Sequence, residues 1–364
     1  MTSVWKGFGL LLVAAGMAQV GSAAVKSEKT SKPLVHKKAQ ASKPAPQAPE
    51  FIRDRIAELA RSFDGDVGIA VKSIDDGWEA GWKDHGLYPQ QSVSKLWVAI
   101  AVMDAVDHGK LNLNDKVTLT RADLTLFHQP IRDDILKNGG SFTTTYADLL
   151  TRQIDTSDNT ANDKLMRTVG GPAAIRAMIA RKHLGTIRFD NGERDMQSRV
   201  AGLTWKPEYS IGNAFWAARD KVPLAARSKA FNHYIANPYD GAAPSAIVDA
   251  LARLKRGELL SHDSTGYLLD VMSRTRTGPQ RLKGGLADGW TLNHKTGTGQ
   301  QMGDEQAGYN DVGILTAPDG KSYALAVMMK KTSAPLPARM ALMSNVTRAV
   351  IQLHDMTKSV AERR

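Results

Sequence analysis

The chain has 364 residues, enough for one large domain or two smaller ones around a sizeable core. It contains no cysteine, which excludes disulfides, thiolate metal sites, a catalytic thiol and a cysteine lipid anchor. The net charge is +11, but residues 1–50 hold seven Lys and two Glu, so only +6 belongs to residues 51–364; the basicity is partly that of the leading segment, and no nucleic-acid partner is expected.

In chain order, one lysine precedes a short apolar run from Phe8 to Val20 and the small residues Gly21-Ser22-Ala23-Ala24. This predicts a secretory leader over 1–24, cut after Ala23 or Ala24, and a periplasmic or secreted chain. Residues 25–50 are rich in Lys, Pro, Ala and Ser without apolar periodicity. They read as a disordered tether able to touch peptidoglycan or other anionic envelope polymers. The folded part is expected over 51–357, with a tail at 358–364. Phe51 to Ala60 has helical spacing, Asp66 to Ser73 reads as a strand, and Asp75-Asp76-Gly77 as a hairpin turn. Ser92 to Val106 predicts a helix with Leu96, Ala99, Ile100 and Met103 on one face. Further helices follow over 146–154, 162–169, 173–181 and around 246–254, with a break at Gly170-Gly171-Pro172. Gly308 to Leu315 and Tyr323 to Met329 read as strands joined by the turn Ala317-Pro318-Asp319-Gly320, and Pro337 to Leu353 as a closing helix. Strands at both ends and helices between them predict an α+β fold: a sheet flanked by helices, an all-helical subdomain, and a cleft between.

Three short stretches carry chemistry. In Gln91-Ser92-Val93-Ser94-Lys95 the serine and lysine are three residues apart, one helical turn. A serine hydroxyl needs a base to become a nucleophile, and Lys95 within reach of Ser92 can serve. Alone, the same residues also fit a capped helix start with a solvated lysine. Ser157-Asp158-Asn159 falls between helical stretches; Ser157 can relay a proton, Asn159 can bond a substrate amide, and Asp158 suits loop backbone groups. Lys295-Thr296-Gly297-Thr298-Gly299 otherwise reads as a turn between strands. Lys295 and Thr296 suit a carboxylate, the glycines allow close approach, and the Thr298 and Ser92 backbone N–H groups suit an oxyanion.

Ordered S-x-x-K, S-D-N and K-T-G resembles the set of class A serine β-lactamases and penicillin-binding proteins. The likeness extends over roughly 51–357, including "SDNTANDKLM", "NHKTGTG" and "NDVGILTAPDGK". It implies an α/β sandwich plus a helical region with the site between them. It also implies catalytic Ser92, Lys95 and Ser157, substrate contacts from Asn159, Lys295, Thr296, Gly297 and Thr298, a β-lactam substrate, no cofactor or metal, and a monomer. The histidines form no H-x-x-x-H or H-E-x-x-H pattern. His128 and His294 are candidates to line the cleft.

What separates a β-lactamase from a penicillin-binding protein in this resemblance is a glutamate that activates the deacylating water. Arg188, Asp190 and Glu193 match the family's loop, with Met196 and Gln197 where leucine and asparagine are usual. Glu208 in "TWKPEYS" is the alternative. Two departures stand out. The segment from about Leu203 to Ala243 is longer than the family needs and contains Trp205, Tyr209, Phe215, Trp216, Phe231 and Tyr234. The family's arginine after K-T-G is missing, and Arg281 is expected to replace it at the substrate carboxylate. The expectation is an exported serine β-lactamase. A penicillin-binding DD-peptidase or cell-wall amidase, and a non-catalytic envelope-binding protein, are the alternatives.

Overall fold

The computed structural model describes residues 46–361. The leader over 1–24 and residues 25–45 of the expected tether lie outside them. The last residues of that tether belong to the fold: Gln47 bridges to Glu79, Ala48 is buried, and α1 (Glu50–Arg61) starts before residue 51.

The amino-terminal part continues with β1 (Asp66–Ser73), β2 (Glu79–Trp82), the short β3 (Tyr88–Pro89) and, after a 3-10 turn at Gln91–Ser94, α2 (Lys95–Asp107). The helical middle comprises β4 (Lys116–Thr120), α3 (Ile131–Lys137), β5 (Ser141–Thr145), α4 (Tyr146–Asp155), α5 (Asn159–Thr168), α6 (Gly171–Arg181) and α7 (Glu193–Val200). Next come α8 (Ala214–Lys221), α9 (Leu224–Ala236), β6 (Gly241–Ala242), α10 (Pro244–Lys255) and α11 (His262–Ser273). The chain closes with β7 (Thr291–Thr298), β8 (Gln301–Met302), β9 (Glu305–Thr316), β10 (Ser322–Thr332) and α12 (Leu336–Ala361). Thus α12 runs into the expected tail at 358–364. The turn expected at 317–320 is present, with Gly320 at φ +93°.

The sheet has the order β2-β1-β10-β9-β7, antiparallel throughout, so both chain ends build it. Period-two alternation assigns its faces. Val67, Ile69 and Val71 of β1, with Leu325, Val327 and Met329 of β10, pack with α1 and α12. Ala70, Ala324 and Ala326 point the other way, into the cluster that contains α10 and α2. Small side chains there let the helices come close to the sheet.

Helix α2 differs from its expected one-sided pattern. Every residue from Lys95 to Asp104 is buried, because α2 runs between the sheet and the helical middle rather than along a surface. The K-T-G stretch also differs: it is the end of a strand, not a turn. Lys295 pairs with Val312 and Gly297 with Asn310, so backbone bonds to β9 hold it straight. A Cβ on Gly297 would lie 2.3 Å from the Gln90 carbonyl oxygen, so glycine is what lets β7 press against the turn that carries Ser92. Gly297→Ala should therefore force β7 away from that turn. We expect a loss of about 1–3 kcal/mol in urea unfolding together with a fall in activity.

Candidate active site

Ser92 lies inside the 3-10 turn, one turn ahead of α2, and is not its cap; Ser94 occupies that position and its hydroxyl donates to the Gln91 carbonyl at 2.7 Å. The preceding residue, Gln91, has φ +53°, a left-handed conformation that costs a non-glycine residue about 1–2 kcal/mol. It is held there by Asp240, whose Oδ2 accepts from the Gln91 N–H at 2.6 Å. Lys95 opens α2 and is fully buried. Its Nζ donates to Ser92 Oγ at 2.8 Å and to Asn159 Oδ1 at 2.8 Å, and forms an ion pair with Glu193 Oε1. Three ammonium hydrogens meet three acceptors.

The S-D-N loop joins α4 to α5. Ser157 has φ +63°, and its hydroxyl accepts from Lys295 Nζ at 2.9 Å. Asp158 has the structural role expected of it: it caps α5 through the Ala161 N–H at 2.9 Å and binds the Ile131 N–H at 2.7 Å. Asn159 turns its NH2 to the Leu126 carbonyl at 2.8 Å.

Glu193 begins α7 after Gly192, whose φ is +96°. Its backbone N–H donates to Asp163 Oδ1 at 3.1 Å, and Gln197, four residues on and on the same face, donates to Glu193 Oε2 at 3.2 Å. The two carboxylate candidates are placed differently. Glu193 is buried at the cleft wall, whereas the Glu208 side chain is 60% exposed on the Pro207–Ser210 turn, beside Lys206.

These groups face a cleft of about 690 Å³. Ser92, Ser157, Asn159, Glu193, Thr296, Thr298 and Arg281 all line it. Arg281 donates to Thr298 Oγ1 at 2.6 Å and to the backbone carbonyls of Gly297 and Asn310 at 3.1 and 2.7 Å, and its guanidinium lies over the Tyr309 ring. His128 lines the cleft as expected. His294 does not: it is buried on β7 with Nδ1 2.9 Å from Asp311 Oδ1 and is not among the residues that line the cleft. The sequence reading also missed Thr277, 2.7 Å from the Thr296 hydroxyl, and Gln300, which holds Gln197. Both stand in stretches with no motif to mark them. The aromatic insert does reach the cleft. Phe127, Tyr209, Phe215 and Trp216 pack ring to ring, and Trp216 and Arg219 of α8 form part of the wall.

The family model described as the beta-lactamase enzyme family matches residues 51–354. The chain belongs to that family. Within it the chain is a class A serine β-lactamase. It is 28% identical over 304 residues to the extended-spectrum beta-lactamase PER-1 of Pseudomonas aeruginosa, an overlap of 83% of this chain and 87% of that protein. Among solved structures it resembles a beta-lactamase from Chitinophaga pinensis DSM 2588, with TM-score 0.69, 28% identity, and 83% and 99% of the two chains covered. It also resembles an ancestral class A beta-lactamase, with TM-score 0.65, 26% identity, and 83% and 99% covered. The mixed sheet-and-helix architecture expected from the sequence is the one these relatives share.

Electrostatics in this β-lactamase site follow from burial. Burial first, and then the charge of Lys95, hold the Lys295 ammonium well below the usual lysine range. A lysine so placed can pass a proton to Ser157. Asp163 behind Glu193 is pushed up to about 6 by burial and by the Glu193 charge. Unfolded, it would titrate near 3.9. The folded state therefore holds this proton more tightly, and the stability it gives at low pH is lost as pH rises through about 6. Asparagine keeps the acceptor for the Glu193 N–H and does not titrate. The melting temperature of Asp163→Asn relative to the parent should thus climb between pH 5 and pH 7.5; a difference that stays flat would refute the shift.

Proposed function

We propose that the chain hydrolyses β-lactam antibiotics through an acyl-enzyme on Ser92 and so confers resistance. The observation that carries this is the Lys95 ammonium bridging Ser92 Oγ, 2.8 Å away, to the Glu193 carboxylate. Ser92 attacks the lactam carbonyl. Its proton passes to Lys95 once Lys95 has handed one to Glu193. The Ser92 and Thr298 backbone N–H groups receive the developing oxyanion. Ser157, fed by Lys295 at 2.9 Å, protonates the leaving nitrogen as the C–N bond breaks. Lys95 then takes the proton back from Glu193 as it passes one on to the Ser157–Lys295 pair, which has lost one to the leaving nitrogen. Glu193, ionised again and with Gln197 beside it, takes a proton from water as that water attacks the ester, and gives it to Ser92 Oγ as the acyl C–O bond breaks and the carboxylate product leaves. Because Arg281 donates to Thr298 Oγ1, the Thr298 hydroxyl hydrogen is free to point at a substrate carboxylate, with Thr296 and the guanidinium nearby.

The leader-like residues 1–24 support export to the periplasm or beyond, where such a hydrolase meets its substrate. The Lys-rich stretch that follows supports contact with anionic envelope polymers. The reading takes the enzyme as a monomer.

A chromogenic cephalosporin with intact-protein mass spectrometry tests the reaction. Sustained turnover is expected, abolished in Ser92→Ala, while Glu193→Gln should stop after one equivalent with a lasting adduct on Ser92. A plateau at one equivalent in the unmodified chain would assign it instead to the penicillin-binding type. The wall formed by Trp216, which is 40% exposed, should govern side-chain selectivity. Trp216→Ala should raise KM about tenfold for penicillins with an aryl side chain and leave small side chains nearly unaffected. Parallel steady-state kinetics on the two substrate types would check it.

A further inference from the structure

We infer that Tyr234, on the inserted helix α9, is a positioning residue for deacylation, acting through the amides of Gln91 and Gln197 on Glu193. The inference rests on the acyl-enzyme reading above.

Tyr234 is fully buried. Its hydroxyl donates to Asp240 Oδ1 at 2.9 Å and accepts from Gln91 Nε2 at 2.5 Å. Gln91 Oε1 accepts from Gln197 Nε2 at 2.9 Å, and the same NH2 group donates to Glu193 Oε2 at 3.2 Å. A continuous row of polar groups thus runs from Asp240 to the deacylating carboxylate.

The direction of the row follows from the inventory of donors. An ionised carboxylate can only accept, so Tyr234 must donate to Asp240 and receive from Gln91. That turns the Gln91 carbonyl toward Gln197. Gln197 then presents its NH2 group, and the hydrogen left over points to Glu193. Gln300 Nε2 supports this orientation from the far side, donating to Gln197 Oε1 at 3.0 Å. Deleting the phenolic hydroxyl releases the Gln91 NH2 and lets that amide reverse. Two NH2 groups would then meet, and the misfit would fall on the Gln197–Glu193 bond.

The backbone of Gln91 is secured separately. Asp240 Oδ2 binds its N–H at 2.6 Å. Gly299 and Gly308 leave room for its side chain, since a Cβ on either would sit 3.0 Å from it. Removing the Tyr234 hydroxyl therefore disturbs the amide row while the serine turn keeps its anchor. Acylation and deacylation should separate.

The experiment compares Tyr234→Phe with the unmodified chain at pH 8, where the Asp240 carboxyl, pushed up to about 7 by burial, is ionised. Steady-state kinetics on a penicillin are paired with rapid-quench mass spectrometry. We expect kcat and KM to fall together about tenfold, with kcat/KM kept within about threefold, and a Ser92 adduct to accumulate during turnover. Gln91→Met should behave alike, and the double variant should be no worse than either single one. Should Tyr234→Phe fail to fold, Gln91→Met decides by the same readout. Parental kcat and KM per titrated serine in Tyr234→Phe, even with a lowered melting temperature, would reduce Tyr234 to packing and overturn the inference. Additive losses in the double variant would overturn it too. Failure of the unmodified chain to turn over beyond one equivalent would instead overturn the acyl-enzyme reading, and the role of Tyr234 with it.

Discussion

A lysine ammonium sealed from water must find an acceptor for each of its hydrogens, and at Lys95 the acceptors come from three separate parts of the chain. Ser92 belongs to the turn ahead of α2, Asn159 to the start of α5, and Glu193 to the start of α7. An unpaired charge in that position would cost several kcal/mol. Assembly of the site and satisfaction of the buried charge are therefore one event. The helical middle cannot pack correctly around α2 without bringing the Ser92 hydroxyl, the Asn159 amide and the Glu193 carboxylate to one point.

The same region holds backbone in uncommon conformations. Gln91, Phe127 and Ser157 all have positive φ without being glycine, and each is at the cleft or next to a residue that lines it. Such residues persist where their surroundings over-determine them. Gln91 has Asp240, Tyr234 and Gln197 as partners. Around Ser157, the Asp158 N–H bonds the Arg152 carbonyl and the Asn159 N–H bonds the His128 carbonyl. Local strain of about 1–3 kcal/mol at each is offset by these fixed bonds. The hydroxyls of Ser92 and Ser157 consequently point into the cleft without substrate having to order them.

Much of this was legible in the sequence because the chemistry is written in short, ordered motifs. Ser92, Lys95, Ser157 and Lys295 could be named from the resemblance of the ordered motifs to the family's set, and the structure brings them together. Spacing from the S-D-N loop favoured Glu193 over Glu208, and of the two it is Glu193 that is buried beside Lys95. What stayed hidden depends on approach between distant segments. Asp163 reads as a helix residue until it is found under the Glu193 backbone. Thr277 and Gln300 have no local pattern. The K-T-G stretch looked like a turn because glycines usually mark turns; here Gly297 instead accommodates the Gln90 carbonyl. Helix α2 looked one-sided because period alone cannot reveal that a helix is enclosed on every side.

The inserted segment raises the question of how some forty extra residues fit beside a catalytic loop without loosening it. The neck of the longer excursion that carries both α7 and the insert supplies the answer. The Arg188 N–H bonds the Gly241 carbonyl at 2.8 Å, the Ala243 N–H bonds the Thr186 carbonyl at 3.0 Å, and Ile187 bridges Ala242. The ends of the whole 188–241 excursion, Glu193 included, are thus tied side by side, and lengthening a loop between fixed ends adds little entropy cost, about 0.6 kcal/mol per doubling. What lies beyond the neck is free to acquire a task, and two helices have done so differently. From α8, Trp216 and Arg219 extend the cleft wall, with Arg219 donating to the Gln301 carbonyl across it at 3.0 Å. From α9, Tyr234 reaches inward to Gln91, the residue before Ser92. An elaboration on the surface thus contributes both to the cleft wall and to the support of the turn that carries Ser92.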